Sequence, residues 1–307
     1  VPIDPELEPL ANAIAEADQK VRPHLSYEPH ANGQQQFHAS KHRLRALFPG
    51  NRFGKTTAVG NEAQWQIERK ERSIILWICP QFRTFELLQP QLEDEIFGPV
   101  PYNRADNFYE WPNRSRMYVI PRERDWHFVE GINPDLVVID EECPLPLFRE
   151  LRARGAGRNE TRYVISATAT DMSGSWMEQE IYRVWLEFHN AKGMDESQAM
   201  RAQLHPEFWV WPRGGIGDNP SMTPDKVRYF RGLTWSSAKE KKVRDEGGFE
   251  TAIGDPVFDP EGIEHLRIML AKYSDGENGS LEPDRRMGQR PGVVERRGVR
   301  LNGSGTH

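Results

Sequence analysis

The 307-residue chain predicts an α/β fold, a mainly parallel sheet with helices on both faces. Three observations carry this expectation. Strand and helix patterns alternate over residues 40 to 170, as they must when each parallel strand is reached by a crossover over one face. Residues 50 to 57 read GNRFGKTT and stand between a strand pattern and a helix pattern. Residues 135 to 144 read DLVVIDEECP, where an apolar run without alternation suits a strand buried on both faces.

The first strand is marked by Leu44, Ala46 and Phe48 in alternation, and the helix after the loop by Val59, Ala63 and Ile67, four apart on one face. The segment between them is a phosphate-binding loop, which makes the expected fold a P-loop NTPase of the RecA/ASCE-like kind. Gly54 lets the backbone pass close to a triphosphate, so that successive N–H groups meet its oxygens where the next helix begins. Lys55 reaches the β/γ-phosphates and Thr56 supplies a hydroxyl for Mg²⁺. Gly50, Asn51, Arg52, Phe53 and Thr57 complete the candidate nucleotide-binding set. The front half of the loop is unusual, because the pattern G-x-x-x-x-G-K-[ST] wants glycine at 49, where this chain has Pro49 followed by Gly50. A Gly-Lys-Thr triplet also arises by chance, so its weight depends on the acids downstream.

The strand over residues 136 to 139 ends in Asp140 and Glu141, and acids at the carboxyl end of a central strand face the crevice where ligands bind in open α/β sheets. Asp140 is placed to hold the Mg²⁺ shell, Glu141 to polarise the attacking water, and Glu142 reads as a solvated neighbour. Another strand, residues 163 to 166, ends in Ser166-Ala167-Thr168. Small hydroxyl residues there can register a γ-phosphate and couple hydrolysis to movement, though an ordinary strand-to-loop turn fits the same residues. Upstream, YEPHANGQQQFHAS offers Tyr27 and Gln34 for base recognition, since a side-chain amide can pair with adenine under an aromatic cover. The run of glutamines reads equally as a polar turn.

Residues 5 to 20 form an amphipathic helix pattern with Leu7, Leu10, Ile14 and Ala17 on one side, started by Asp4 before Pro5. Residues 73 to 79 make a further buried strand closed by Pro80. Helix patterns recur near 177 to 189 and 236 to 246, and 208 to 211 is a Trp-rich strand, read as core or interface packing rather than a base-stacking platform. No internal repeat is present. With 37% hydrophobic residues and no apolar run near ~20 residues, the chain buries one good core and lies outside the bilayer, as a soluble intracellular protein would. Cys79 and Cys143 lack metal spacing and read as reduced thiols. There is no secretory signal, and a start at Val1 reads as processed or trimmed. The net charge of −6 does not exclude DNA, because local basic patches act within a Debye length of ~8–10 Å. Arg285, Arg286, Arg290, Arg296, Arg297 and Arg300 make a basic Gly/Pro-rich tail, read as flexible, either merely solvated or a DNA contact.

The ordering of these pieces resembles the large subunit of the tailed-bacteriophage terminase, the ATP-driven DNA-packaging motor. The resemblance rests on Tyr27, Pro29, Gln34, Phe37, His38 and Ser40, then GNRFGKT and Asp140-Glu141-Glu142. It continues with Ser166-Ala167-Thr168, Gly174-Ser175-Trp176, Asp218-Asn219-Pro220 and Gly254-Asp255-Pro256-Val257-Phe258, spanning residues 25 to 260. It implies that Gln34 reads adenine, Lys55 and Thr56 serve phosphate and magnesium, Asp140 and Glu141 are the metal-holding and catalytic acids, and 166 to 168 couple. It also implies an arginine inside the loop, for which Arg52 is the nearest match with Asn51 in the alternative register. A trans-acting arginine is implied too, with Arg152, Arg154 and Arg158 as candidates and Arg152 the one assigned. The implied cofactors are ATP and Mg²⁺. The implied partners are double-stranded DNA, the portal protein, the terminase small subunit and other copies of the chain in a ring on the portal, with no membrane, in the host cell cytoplasm.

Domains follow the same resemblance: residues 1–24 a helix packing on the core, 25–258 the packaging ATPase with a small lid or linker subdomain, and 259–307 a linker and basic tail. Large terminases continue into a ribonuclease-H-like nuclease. Here about fifty residues come after Phe258, short of a domain of ~100, and Asp259, Glu261, Glu264 and Asp275 show no strand pattern to gather them at two metals. The nuclease half is expected to be missing. A superfamily-2 helicase is the rival enzyme, but the stretch after Thr170 shows no second parallel-sheet pattern. A nucleotide-gated binding protein without turnover is the rival from another class, and Glu141 argues against it.

Overall fold

The computed structural model describes residues 8–124, 126–156, 161–169 and 175–249. Arg158, Gly174, the 254–258 motif and the basic tail lie outside the described residues. Eight strands form one sheet: β1 (Leu44–Leu47), β2 (Ile74–Cys79), β3 (Tyr102–Asn103), β4 (Phe108–Glu110), β5 (Arg116–Pro121), β6 (Leu136–Asp140), β7 (Arg162–Ser166) and β8 (Phe208–Trp211). Their order is β3-β4-β5-β2-β6-β7-β1-β8. From β5 to β8 every neighbour is parallel, while β3, β4 and β5 pair antiparallel. The antiparallel edge was not foreseen. Strands of two and three residues are too short to show a period of two.

Alternation along each central strand sends side chains to opposite faces, and each face carries helices. Leu44, Ala46, Leu76, Ile78, Val137, Ile139 and Ile165 face α5 (Leu145–Ala156) and a π-helical turn, Met177–Tyr182, that runs into α6 (Arg183–Asn190). Leu47, Ile75, Trp77, Val138 and Val164 face Val59, Ala63 and Ile67 of α3 (Lys55–Arg69), with Phe37 of α2 (Gln34–Ala39) and Phe85 and Leu92 of α4 (Phe82–Leu92) beside them. Full burial of each such side chain contributes ~1.5–3 kcal/mol relative to exposure, so the sheet and its two helical layers form one cooperative core. The tryptophans of β8 are buried, Trp209 to 3% and Trp211 to 7% exposure, as core packing requires. Among the described residues no helix is long and apolar enough to cross a membrane. Both cysteines are buried and free.

Two observations correct the expectation for the amino-terminal helix, α1 (Glu8–Val21). Ile14 is 60% exposed and Ala17 is exposed, so this part of the apolar stripe is not laid on the core. The helix is held at its carboxyl end instead, where a Cβ at Gly98 would meet Val21 O at 2.3 Å and His24, just beyond, contacts Glu68 at 2.6 Å.

One buried ion pair ties the layers beside the phosphate loop. Arg45 of β1 grips Glu62 of α3 with two parallel bonds, 2.9 Å and 2.6 Å, and also donates to Phe37 O of α2 at 2.9 Å. Burial pushes the Glu62 carboxyl up, but the His38 hydrogen bond and the Arg45 guanidinium together pull it down to about 2. This geometry offsets the desolvation of two charges only because each is multiply bonded.

α5 approaches the sheet so closely that glycine is required at 155. A Cβ there would lie 1.8 Å from Tyr163 Oη, which donates to Leu151 O at 3.0 Å. Alanine normally gains ~1 kcal/mol over glycine inside a helix, whereas overpacking a rigid core costs ~1–3 kcal/mol. Since the Tyr163 ring is buried and cannot swing away, the steric term wins. Gly155→Ala should lower the melting temperature by several degrees; a rise in thermal denaturation midpoint would show that the helix relaxes freely off β7.

Candidate nucleotide-binding and catalytic site

β1 ends against the loop, and α3 begins with Gly54 as its N-cap in the left-handed region at φ 92°. Glycine is the residue that adopts this conformation without steric cost. The unusual front half has a structural reason. Gly50 lies against the last turn of α9 (Ala238–Glu246), where a Cβ would be 2.4 Å from Arg244 O, and the Gly50 and Asn51 N–H groups donate to Gly214 O and Arg244 O, both at 2.7 Å. The close approach occurs at 50, so the glycine stands there and not at 49.

Behind the loop, Lys55 is fully buried. Its ammonium donates to Pro49 O at 3.0 Å, Gly50 O at 2.8 Å and Thr168 Oγ1 at 2.9 Å, which uses all three protons. Thr168 in turn donates its hydroxyl to Asn51 Oδ1 at 3.2 Å and its N–H to Glu141 Oε2 at 3.0 Å. The sheet order explains this meeting. β7 lies between β1 and β6, so Ser166-Ala167-Thr168 leave the sheet between the phosphate loop and the acids. Ala167 N–H bonds Leu47 O at 3.0 Å, and Ser166 O accepts from Glu141 N–H at 2.7 Å.

Glu141 sits at φ 66°, a conformation that non-glycine residues rarely adopt and that costs ~1–3 kcal/mol. Two bonds hold it there, its own N–H to Ser166 O and the Thr168 N–H to its carboxylate. Burial raises the Glu141 carboxyl above its ordinary value, opposed by Lys55 and Thr168. Asp140 is pushed up to about 7, first by burial and then by the Glu141 charge, with Lys55 and Ser166 opposing. Burial pushes Lys55 down to about 8 against the pull of the two acids.

The remaining assigned residues divide by place. Arg52 is exposed at φ 63°, and its carbonyl accepts from Asn219 Nδ2 at 2.8 Å. Phe53 is fully buried and contributes through its backbone, its carbonyl 3.0 Å from His30 Nε2. Thr56 and Thr57 occupy the first turn of α3, half-buried, and the Thr56 hydroxyl makes no hydrogen bond among the described residues. Tyr27 and Gln34 line a groove of about 1260 Å³ that reaches Gly54 and Thr57 from the other side and is closed by Asn219 and Met222. Asp140, Glu141 and Lys55 do not line it, so the groove lies apart from the lysine and the acids, on the outer side of the loop. Arg152 lies elsewhere, its guanidinium 5.6 Å from the Tyr163 ring and 6.0 Å from the Phe148 ring, beside Lys41 and Leu44 at the amino ends of the strands. It is therefore not assembled with the acids of its own chain. Arg154 pairs with Glu150 at 2.5 Å.

Two contributors were not assigned a role from sequence. Asn219 braces the loop from the segment after β8, and its tripeptide was visible only as a pattern. Arg122, just past β5, donates to Glu142 O at 2.9 Å and opposes the upward shift of Glu141. A basic residue at the carboxyl end of a parallel strand was the available signal, hidden because β5 lies two strands from β6.

The loop, the acids and the sheet order together define a P-loop nucleotide-binding fold. No protein-family model and no curated protein matches the chain. Among solved structures it is similar to the large terminase ATPase domain of Thermus phage P74-26, with a TM-score of 0.55 and 17% identity over 73% of this chain and 97% of that one. An arginine-to-alanine variant of that domain gives 0.55 and 18%, over 74% and 99%. The large terminase of the thermophilic bacteriophage D6E in complex with ADP gives 0.47 and 15%, over 68% and 51%. The chain thus has the fold of a phage large-terminase ATPase domain.

The raised Asp140 carboxyl carries a stability consequence. An unfolded aspartate titrates near ~3.9. Between that value and about 7 the folded chain holds a proton that the unfolded chain releases, so stability falls as pH rises through this window and is flat above it. Asp140→Asn mimics the protonated form and should stabilise the protein at pH ~8 by on the order of 1 kcal/mol, or ~2–4 °C, with no gain near pH ~4. Melting curves of both proteins across this range check the sign; a gain that is constant with pH, or a loss at pH ~8, contradicts it.

Proposed function

We propose that this chain is the ATP-hydrolysing motor domain of a viral terminase large subunit, which drives double-stranded DNA into a procapsid. One observation carries the reading: Lys55, Thr168 and Glu141, from three different strand ends, are joined by direct hydrogen bonds at the mouth of a phosphate loop. The fold shared with phage terminase ATPase domains supports it.

In this reading the Lys55 ammonium leaves the Pro49 and Gly50 carbonyls to meet the β/γ-phosphates, and the amides from Arg52 onward surround them. Glu141 orients the attacking water and takes its proton, a task suited by a carboxyl that burial raises above its ordinary value. Thr168 touches both Lys55 and Glu141, so a change at the γ-phosphate is felt at the end of β7. The donor set fits Mg²⁺, which is ordinarily held by one or two carboxylates with substrate phosphates and water: Asp140 is a half-buried carboxylate whose ionisation a cation favours, and the Thr56 hydroxyl is uncommitted. When bound, the ion supplies charge neutralisation for the phosphates. Tyr27 and Gln34 flank the base. Arg152, away from its own acids, is in a place that suits service to a neighbouring subunit.

The partners proposed are double-stranded DNA, the portal protein, the terminase small subunit and further copies of the chain in a ring, in the host cell cytoplasm. The chain is proposed to move DNA rather than cut it: the paired acids at 140 and 141 serve ATP, and among the described residues no further group of three or more acids, histidines or cysteines is placed to hold a metal ion.

Lys55→Ala should abolish nucleotide binding or turnover, while Glu141→Gln should bind Mg·ATP normally and lose hydrolysis by ~10²–10⁴-fold, because an amide cannot accept the water proton. Calorimetry beside a phosphate-release assay separates the two; identical behaviour of both variants, or near-normal turnover in either, defeats the division of roles.

An arginine supplied in trans raises phosphoryl-transfer rates by ~10³–10⁵, so the isolated chain should turn over slowly and its activity per molecule should rise with concentration, or on a portal ring with duplex DNA. Plasmid in the same reaction should stay supercoiled. Activity independent of concentration and of DNA, or nicking that tracks the protein through purification, speaks against the motor.

A further inference from the structure

The turn that carries Glu141 is held by two side chains that the proposed chemistry leaves unused. Strained backbone persists only where its surroundings over-determine it, so the φ of 66° at Glu141 calls for restraint on both sides of the residue. On the amino side the Glu141 N–H is fixed by Ser166 O at 2.7 Å. On the carboxyl side the next two carbonyls are each held from a distant part of the chain. Arg122 donates to Glu142 O at 2.9 Å, and Trp176 donates its indole N–H to Cys143 O at 2.7 Å.

Each holder is itself fixed. Arg122 directly follows β5, and its backbone N–H donates to Cys79 O, the last carbonyl of β2, at 2.8 Å. β2 lies between β5 and β6, so with strands ~4.8 Å apart the Arg122 side chain crosses roughly 10 Å to reach the turn. A long stem that ends in a planar fork of donors suits that span. Trp176 is buried and stacks on Phe148 of α5, ring centres 4.3 Å apart and planes at 23°, which fixes the ring and leaves its one polar atom to the turn. Cys143 is buried too, and a buried carbonyl without a partner costs as much as a lost hydrogen bond. The tryptophan of the Gly174-Ser175-Trp176 pattern thus has a contact one residue removed from Glu142.

Among the described residues neither side chain hydrogen-bonds the Glu141 carboxylate or Lys55, so what they do to the site passes through the backbone. We propose that Arg122 and Trp176 are positioning residues for the hydrolysis: they lock the two peptides after Glu141, and so keep its carboxylate turned toward the Thr168 N–H and the water it activates. With either carbonyl released, the turn relaxes toward an ordinary φ and the carboxylate swings off that line. The phosphate loop, held by its own bonds, stays in place. The inference rests on the reading of Glu141 as the general base and assigns Arg122 no contact with phosphate.

The test measures kcat and KM for Mg·ATP, with nucleotide affinity by calorimetry, on the full chain under the conditions that give the wild type its highest turnover. Arg122→Met keeps the stem and loses the donors; Trp176→Phe keeps the stack on Phe148 and loses the N–H. Each should lower kcat by ~10–10²-fold, the cost of up to about 1 Å of misplacement, with nucleotide affinity within ~3-fold of wild type. Arg122→Lys restores a donor and should recover most of kcat. On a Glu141→Gln background neither substitution should lower the residual turnover further, because the group they hold is no longer a base. A kcat within ~2-fold of wild type in Arg122→Met or Trp176→Phe overturns the role of that residue, with the hydrolase reading intact. Equal loss of kcat and affinity, or a further ~10-fold loss on the Glu141→Gln background, overturns the route through Glu141. If circular dichroism shows that Arg122→Met does not fold, Trp176→Phe and Arg122→Lys decide: normal kcat in the first, or a ~10-fold or greater loss in the second, overturns the inference. A wild-type chain without turnover overturns the hydrolase reading and this inference together.

Discussion

A buried lysine ammonium and two half-buried carboxylates stand together beside the ends of β1 and β6, and the rest of the architecture follows from keeping them there. An isolated buried charge costs several kcal/mol, so each must be bonded from more than one direction. Lys55 finds two loop carbonyls and Thr168; the Glu141 carboxylate finds the Thr168 N–H, while the Glu141 backbone N–H donates to Ser166 O. No single strand can offer all of these. Placing β7 between β1 and β6 brings the three strand ends into reach, and the apolar runs of the central strands are what allow them to lie side by side, covered on both faces. The charges are held in a strained balance: both acids are raised, the lysine is lowered, and one acid occupies backbone space normally left to glycine. In the proposed reading a triphosphate with its cation would relieve most of that imbalance, which the folded chain holds at some cost to its own stability.

How much of this was legible in the sequence depends on the distance over which each feature is determined. The loop, the acid-ended strand and the strand from 163 to 166 are local patterns, where hydrophobic period and end chemistry fall within a few residues, and the structure contains all three elements where they were expected. Ser166-Ala167-Thr168 could not be separated from an ordinary turn by composition. Its meaning comes from strand order, which no local pattern encodes. The glycine at 50 resembles a flawed motif until the carbonyl of Arg244 is seen against it, from a helix far along the chain. Arg152 was assigned through the resemblance as an arginine acting on a neighbouring copy, and its position at the amino ends of the strands, carried there by α5, follows from packing that no local pattern encodes. The amino-terminal stripe misled for a different reason: periodicity shows that a helix has an apolar side, and says nothing about what is available to cover it.

Buried polar groups connect the two ends of the site. Arg45 and Glu62 brace β1 against α3, the same two elements that flank the phosphate loop, and through His38 and Tyr27 the pair extends to the Gln34 amide. Such networks specify orientation more than they add stability, since the desolvation of their members offsets much of what their bonds contribute. Here the orientation specified is that of the Gln34 amide, whose oxygen also accepts from the His30 N–H and whose nitrogen donates to Gly54 O.

The bonds from Gly50 and Asn51 to Gly214 and Arg244 also bear on stiffness. A phosphate loop is usually imagined as a compliant hoop anchored at its strand and its helix. This one is clamped from behind at a third point, with Gly247 so close to Pro49 that a Cβ would lie 2.5 Å from the Pro49 Cα. Displacement of α9 along its axis cannot be absorbed by bending of side chains, because the contacts are backbone to backbone. The loop and the last turn of α9 are therefore coupled through their backbones, so a shift of that helix bears directly on the loop.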